Sequence, residues 1–138
     1  MIKGTEEAKR WLKQAMEDLK WAKYLLKEGA YYLVCFLSQQ IAEKSLKAYL
    51  YYKGEEIVIG HSIHKLCKWA GEFEEEFNEK LKVWSILDTY YIPTRYPNGI
   101  PDGIPAEVYT KDIAKNALLL AEEIVEFVKQ KISFIPQQ

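Results

Sequence analysis

The sequence predicts an all-α fold, an up-and-down four-helix bundle with a fifth, shorter helix and a long Pro/Gly-rich loop before the last helix. Three observations carry this prediction. Apolar residues recur at three- and four-residue steps through most of the chain, the period of helices with one buried face. Stop signals fall between those runs, at Gly29, at Lys53-Gly54 and at Pro93. Four of the five prolines and two of the seven glycines are confined to one stretch, Tyr90 to Tyr109. A stretch of that length without helix is unusual in a small domain and points to function. With 138 residues, 49% of them hydrophobic, the chain is expected to form one domain over 1–138 and to bury a core without disulfides or metal.

Helix one is expected to open at Thr5 as N-cap, with Glu6 and Glu7 where the helix dipole favours anions, and to end at Gly29. Its buried stripe is Ala8, Trp11, Ala15, Leu19, Ala22 and Leu26. Helix two follows after almost no loop and must turn back antiparallel. Residues 30–37 are apolar all round, as in a helix buried on more than one face, and Ala42, Leu46, Tyr49 and Leu50 continue the packing. Gln40, Glu43, Lys44 and Lys47 lie one turn apart on another side. They read as a solvated face, with a Glu43–Lys47 pair worth about 0.2–0.5 kcal/mol. The sharper alternative makes Gln39, Gln40, Glu43 and Lys47 the lining of a polar cleft or subunit interface.

Ile57, Val58 and Ile59 make a short extended piece with no strand to pair with. Ser62 is the expected N-cap of helix three, whose stripe is Ile63, Leu66, Ala70, Phe73 and Phe77, with the acidic run 72–76 solvated. Asn78 is placed as the cap of helix four, with Leu81, Trp84, Leu87 and Tyr91 inward, until Pro93 stops it. Thr110 caps the last helix. Its seam is Ile113, Ala117, Ala121, Ile124 and Val128, broadened by Ala114, Leu120 and Phe127.

A net charge of −1 and a pI near 6.2 argue against a general nucleic-acid binder, which carries a basic excess, but leave room for a local basic patch. The 17 lysines and 16 glutamates against two arginines resemble the surface of a heat-adapted protein. Cys35 and Cys67 sit in apolar helical patterns and read as reduced, buried thiols of a cytoplasmic protein. No apolar run is long enough to span a bilayer, so no membrane role is expected. His61 and His64 form an H-x-x-H pair, but no third and fourth ligand accompany them, so neither metal nor cofactor is expected. Phosphate-loop, dinucleotide and nucleophile-elbow motifs are absent. Thr94-Arg95-Tyr96-Pro97 remains. Arg95 is suited to a bidentate hold on phosphate, and Tyr90, Tyr91, Tyr96 and Tyr109 offer stacking faces. Alternatively Arg95 stacks on a tyrosine and pairs with Asp88, locking the loop to the bundle.

These pieces, in this order, resemble the HEPN domain family. The residues that carry the resemblance are Trp11, Ala15, Asp18, Leu19 and Ala22 of the first helix and the run Tyr32-Leu-Val-Cys-Phe-Leu-Ser-Gln-Gln-Ile-Ala-Glu-Lys-Ser-Leu-Lys47. Gly60-His61-Ser62-Ile63-His64-Lys65-Leu66 and Tyr91-Ile-Pro-Thr-Arg-Tyr-Pro97 complete it. The resemblance implies a four- to five-helix bundle, commonly dimeric, often encoded beside a minimal nucleotidyltransferase in a toxin–antitoxin-like pair. Active members of that family are metal-independent ribonucleases with an Arg-x4–6-His motif. Here Arg95 is followed by Tyr-Pro-Asn-Gly-Ile-Pro-Asp without a histidine. The expected role is therefore a homodimeric nucleotide- or RNA-binding module that works with a nucleotidyltransferase partner. Its pocket would be built from Arg95, Tyr96, Tyr91, His61, Gln40, Glu43 and Lys47. A ribonuclease using Arg95 with His61 or His64 is the enzymatic alternative, and a purely structural dimerisation or adaptor domain is the third.

Overall fold

The structure, a computed structural model, describes residues 2–132. Among them every regular element is helical, as expected. Three helices are long: α1 (Ile2–Glu28), α2 (Tyr31–Tyr52) and α6 (Lys111–Lys131). Three are short: α3 (Ile63–Ala70), α4 (Glu76–Trp84) and α5 (Pro105–Val108), with 3₁₀ turns at Ser85–Tyr90 and Pro97–Gly99. The Gly29-Ala30 junction is tight enough to fold α2 back on α1, and Gly29 takes the left-handed conformation (φ 83°) that closes the turn.

The second helix is the axis of the molecule. It packs against α1, α6, α3, α5 and the first 3₁₀ turn, which is why Val34, Cys35, Ile41, Ala42, Leu46, Ala48, Tyr49 and Leu50 are all fully buried. Opposite them stand Ala8, Leu12, Ala15 and Ala22 of α1 and Ala114, Ala121, Ile124 and Val128 of α6. Alanine is frequent on both flanking helices, and small side chains allow close approach to α2. An aromatic group closes the far end: Phe77 and Trp84 meet Phe127 edge-on, with centroids at 5.0 and 5.1 Å.

Several boundaries differ from the sequence reading. The first helix begins at Ile2, so Thr5 lies inside it and caps nothing. Leu12, rather than Trp11, is the fully buried member of that turn. The third helix ends at Ala70, which leaves Phe73 39% exposed and gives Phe77 to α4. Asn78 does not cap α4; its amide donates to the Gly71 carbonyl and to Glu75. α4 gives way at Trp84 to a 3₁₀ turn, well before Pro93. Nor is the acidic run 72–76 wholly solvated. Glu74 accepts the Tyr49 hydroxyl and pairs with Lys131 at 3.2 Å, tying α2 and α6 to the α3–α4 junction. Ser62 and Thr110 cap α3 and α6 as expected, each side-chain oxygen accepting an N–H three residues on.

The Pro/Gly-rich stretch is not one long structureless loop. Its 3₁₀ turn and the single turn of α5 break it into short folded pieces. It also contains a short tandem repeat, Asn98-Gly-Ile-Pro followed by Asp102-Gly-Ile-Pro105, which corrects a reading of the sequence as free of repeats.

Candidate functional site

Along one face of α2, residues 36, 39, 40, 43 and 47 follow helical spacing, and the structure closes two other segments over that face. Glu43 and Lys47 are only 5% exposed, so this side of α2 is not a solvated face but a covered polar cluster. The Lys47 ammonium donates to Glu43 Oε2 at 3.1 Å and lies 5.3 Å from the centre of the Trp11 ring. Gln39 is fully buried and spends both ends of its amide. Its nitrogen donates to Glu43 (3.3 Å) and to the His61 carbonyl (2.9 Å), while its oxygen accepts from Gln40 (2.8 Å). A buried ion pair is tolerable only when its remaining hydrogen-bonding capacity is filled in this way.

The second segment brings His61. Gly60, at φ 104°, makes the left-handed turn that a side chain would resist. His61 then sets Nδ1 against the Glu43 carboxylate, 3.1 and 3.3 Å from its two oxygens. A ring nitrogen facing a carboxylate carries a proton, and in the neutral ring Nε2 is then the acceptor; the side chain remains 58% exposed. The imidazole stacks on Tyr91, centroids 5.0 Å apart and planes 20° from parallel.

The third segment carries Tyr91, Arg95 and Tyr96. After the 3₁₀ turn the chain curls tightly, held by the buried Thr94 hydroxyl, which donates to the Tyr90 carbonyl at 2.5 Å. Gly99 is required here, because a Cβ would come within 2.8 Å of Pro93 Cα. The Arg95 guanidinium lies 4.3 Å from the Tyr91 ring, 5.0 Å from Phe36 and 5.2 Å from Tyr96. Its Nε donates to the Tyr91 carbonyl at 2.8 Å. Among the described residues it pairs with no carboxylate. The alternative pairing with Asp88 is not made, because Asp88 is engaged with the start of α3.

Of the residues singled out from sequence, Arg95, Tyr91, Tyr96, His61, Glu43, Lys47 and Gln40 therefore form one continuous set of contacts. His64 takes no part in it; its Nδ1 faces the Ser85 hydroxyl at 3.1 Å. Tyr90 and Tyr109 meet edge-on beside Cys35, so they secure the loop rather than face the cleft. Sequence reasoning missed Phe36. It belongs to the same helical spacing as Gln40, Glu43 and Lys47, and that spacing was the available signal.

A HEPN domain model matches residues 8–131. The chain belongs to the HEPN family. Among its relatives, the Methanocaldococcus jannaschii protein named "Putative toxin MJ1304" is 34% identical over 133 residues, spanning 88% of this chain and 86% of that one. The crystal structure of TT1696 from Thermus thermophilus superposes with a TM-score of 0.79 at 42% identity, covering 90% of this chain and 97% of the other. That of ST0689, described as an archaeal HEPN homologue, gives 0.75 at 38%, covering 91% and 97%. No helix among the described residues of this HEPN chain is long and apolar enough to cross a membrane.

Proposed function

We propose that this HEPN protein binds the phosphate of a nucleotide or of single-stranded RNA in the Arg95 cleft, as the toxin-like member of a pair with a minimal nucleotidyltransferase. One observation carries the reading. Arg95 lies against three aromatic rings, yet its terminal nitrogens have no carboxylate partner among the described residues. A guanidinium arranged in this way meets phosphate through two parallel N–H bonds, and the half-exposed Tyr96 beside it offers a face for a base. The relative named as a toxin supports the toxin–antitoxin part of the reading. A homodimer is the expected assembly, since two-fold dimers are the commonest soluble oligomers.

Calorimetry with AMP and with a short single-stranded oligoribonucleotide tests the reading and separates the two phosphate sources. Arg95→Ala is expected to weaken whichever binds by at least about tenfold, or about 1.4 kcal/mol. The variant should change the unfolding midpoint little, because Arg95 is exposed. Equal affinity of wild type and variant would remove Arg95 from the site. Co-purification with a nucleotidyltransferase expressed alongside tests the partner.

A ribonuclease is the second reading, favoured by one contact: His61, and not His64, shares the Tyr91 ring with Arg95. In this reading the neutral His61 ring, with Nδ1 held by Glu43, takes a proton from a ribose hydroxyl at Nε2, and Arg95 holds the phosphate. RNA cleavage that persists in a chelator and disappears in both Arg95→Ala and His61→Ala would establish it. No cleavage by wild type leaves the binding module.

A further inference from the structure

Asp88 is a buried-edge carboxylate that the cleft itself does not use, and its contacts are specific. It sits in the 3₁₀ turn Ser85–Tyr90, directly before Tyr91 and Arg95. Its two oxygens reach across to the start of α3 and accept three hydrogen bonds: from the Ile63 N–H at 2.6 Å, the His64 N–H at 3.0 Å and the Ser62 hydroxyl at 3.1 Å. The first two donors are orphan N–H groups at a helix N-terminus, where a carboxylate is favoured by charge as well as by hydrogen bonding. Ser62 is thereby fixed twice, since its hydroxyl oxygen also accepts the Lys65 N–H at 3.1 Å. His61 is the residue immediately before this clamp. On its other side, Gln39 holds the His61 carbonyl.

The two halves of the cleft come from chain segments about thirty residues apart: His61 from one, Tyr91 and Arg95 from the other. Asp88 belongs to the second and grips the first. We propose that Asp88 is a positioning residue: it sets the distance between His61 and the Tyr91–Arg95 pair and so fixes the cleft in its ligand-ready form. This rests on the proposed phosphate site for its functional consequence, but not for its structural one. Asp88 touches no ligand in this scheme. It acts through the backbone of residues 62–64, which carries His61 onto Tyr91 and into reach of Glu43.

Positioning and simple electrostatics predict opposite signs. Removing a negative charge near an anion site strengthens anion binding if charge alone matters. If Asp88 holds His61 in place, its removal weakens binding instead. Two measurements decide. The chain has only two histidines, so the imidazole nitrogens of ¹⁵N-labelled protein give a readable NMR spectrum without any ligand. At a pH where the imidazoles are neutral, wild-type His61 is expected to show the Nδ1-protonated tautomer. Asp88→Ala should give averaged nitrogen shifts, and Asp88→Asn, which retains one carbonyl oxygen to accept from Ile63, should fall between. In calorimetry with AMP or the oligoribonucleotide, Asp88→Ala should weaken binding several-fold in the wild-type background and add nothing in a His61→Ala background. Unchanged His61 nitrogen shifts in a folded Asp88→Ala protein overturn the proposal, as does tighter binding. If wild type binds neither probe, the phosphate reading fails, while the NMR arm still decides whether Asp88 positions His61.

Discussion

Glu43 shows how one residue can look ordinary in sequence and be committed in three dimensions. An i,i+4 Glu–Lys pair on a helix is normally a surface feature worth a few tenths of a kcal/mol. Here the same spacing is roofed by His61 and backed by Trp11, and the carboxylate has partners at Lys47, Gln39 and His61. Truncating one member of such a buried pair strands the other, at a cost of about 3–5 kcal/mol. Glu43→Ala is therefore expected to lower the urea midpoint far more than Arg95→Ala does, although both remove one charge from the same cleft. Nothing in the spacing distinguishes the buried pair from an exposed one; that depends on which distant segment covers it. The thiols make the converse case. Cys35 and Cys67 were legible as buried from their apolar surroundings, and burial pushes each up to about 12. Both should resist a thiol reagent at pH 8 until denaturant is added; modification of the native protein at a rate near that of a free thiol would contradict the buried placement.

At the scale of elements, the long helices were readable along their length, whereas α3 and α4 were placed but not correctly bounded. The stripes of α1, α2 and α6 run through many turns, so periodicity averages out local exceptions such as Thr5. In α3 and α4 only two turns are available, and a single misplaced residue such as Phe73 or Asn78 moves a boundary. The 3₁₀ turn after Trp84 left no mark in the periodicity, yet it aims Asp88, Tyr91 and Arg95. The junction of α3 and α4 with α6 has a pH dependence of its own. Burial by itself would raise the Glu74 carboxyl. The hydrogen bonds from Tyr49 and Lys131, with the charges of Lys131 and Lys53, outweigh it and hold Glu74 below the ordinary carboxylate range. A carboxyl depressed in the folded state contributes stability above its unfolded value and loses it as pH falls through the folded value. Thermal unfolding followed from neutral to acidic pH should show a declining midpoint, and Glu74→Gln should flatten that decline. An equally steep decline in the variant would assign the acid sensitivity to other carboxylates.

For the whole molecule, the fold class and most members of the contact cluster around Glu43, His61 and Arg95 were recoverable, because a helical period and a run of residues survive in one dimension. The joins were not, because Asp88 on α3, Gln39 on the His61 carbonyl and Phe36 under Arg95 are pairings between segments far apart in the chain. Gly99 marks how closely one join is fitted. Gly99→Ala, with its Cβ driven to 2.8 Å from Pro93 Cα, should shift the Arg95 turn and weaken AMP or oligoribonucleotide binding while leaving far-ultraviolet circular dichroism unchanged. The cleft exists only where α2, the His61 turn and the Arg95 turn meet, which ties its occupancy to cooperativity. An opening that parts any of these three segments loses the site, so under the proposed function AMP at about a hundred times its dissociation constant should raise the free energy of global opening by about 2.7 kcal/mol. Hydrogen exchange should register this in the central turns of α1 and α6, at amides that touch no ligand, as uniformly slower exchange through complete unfolding.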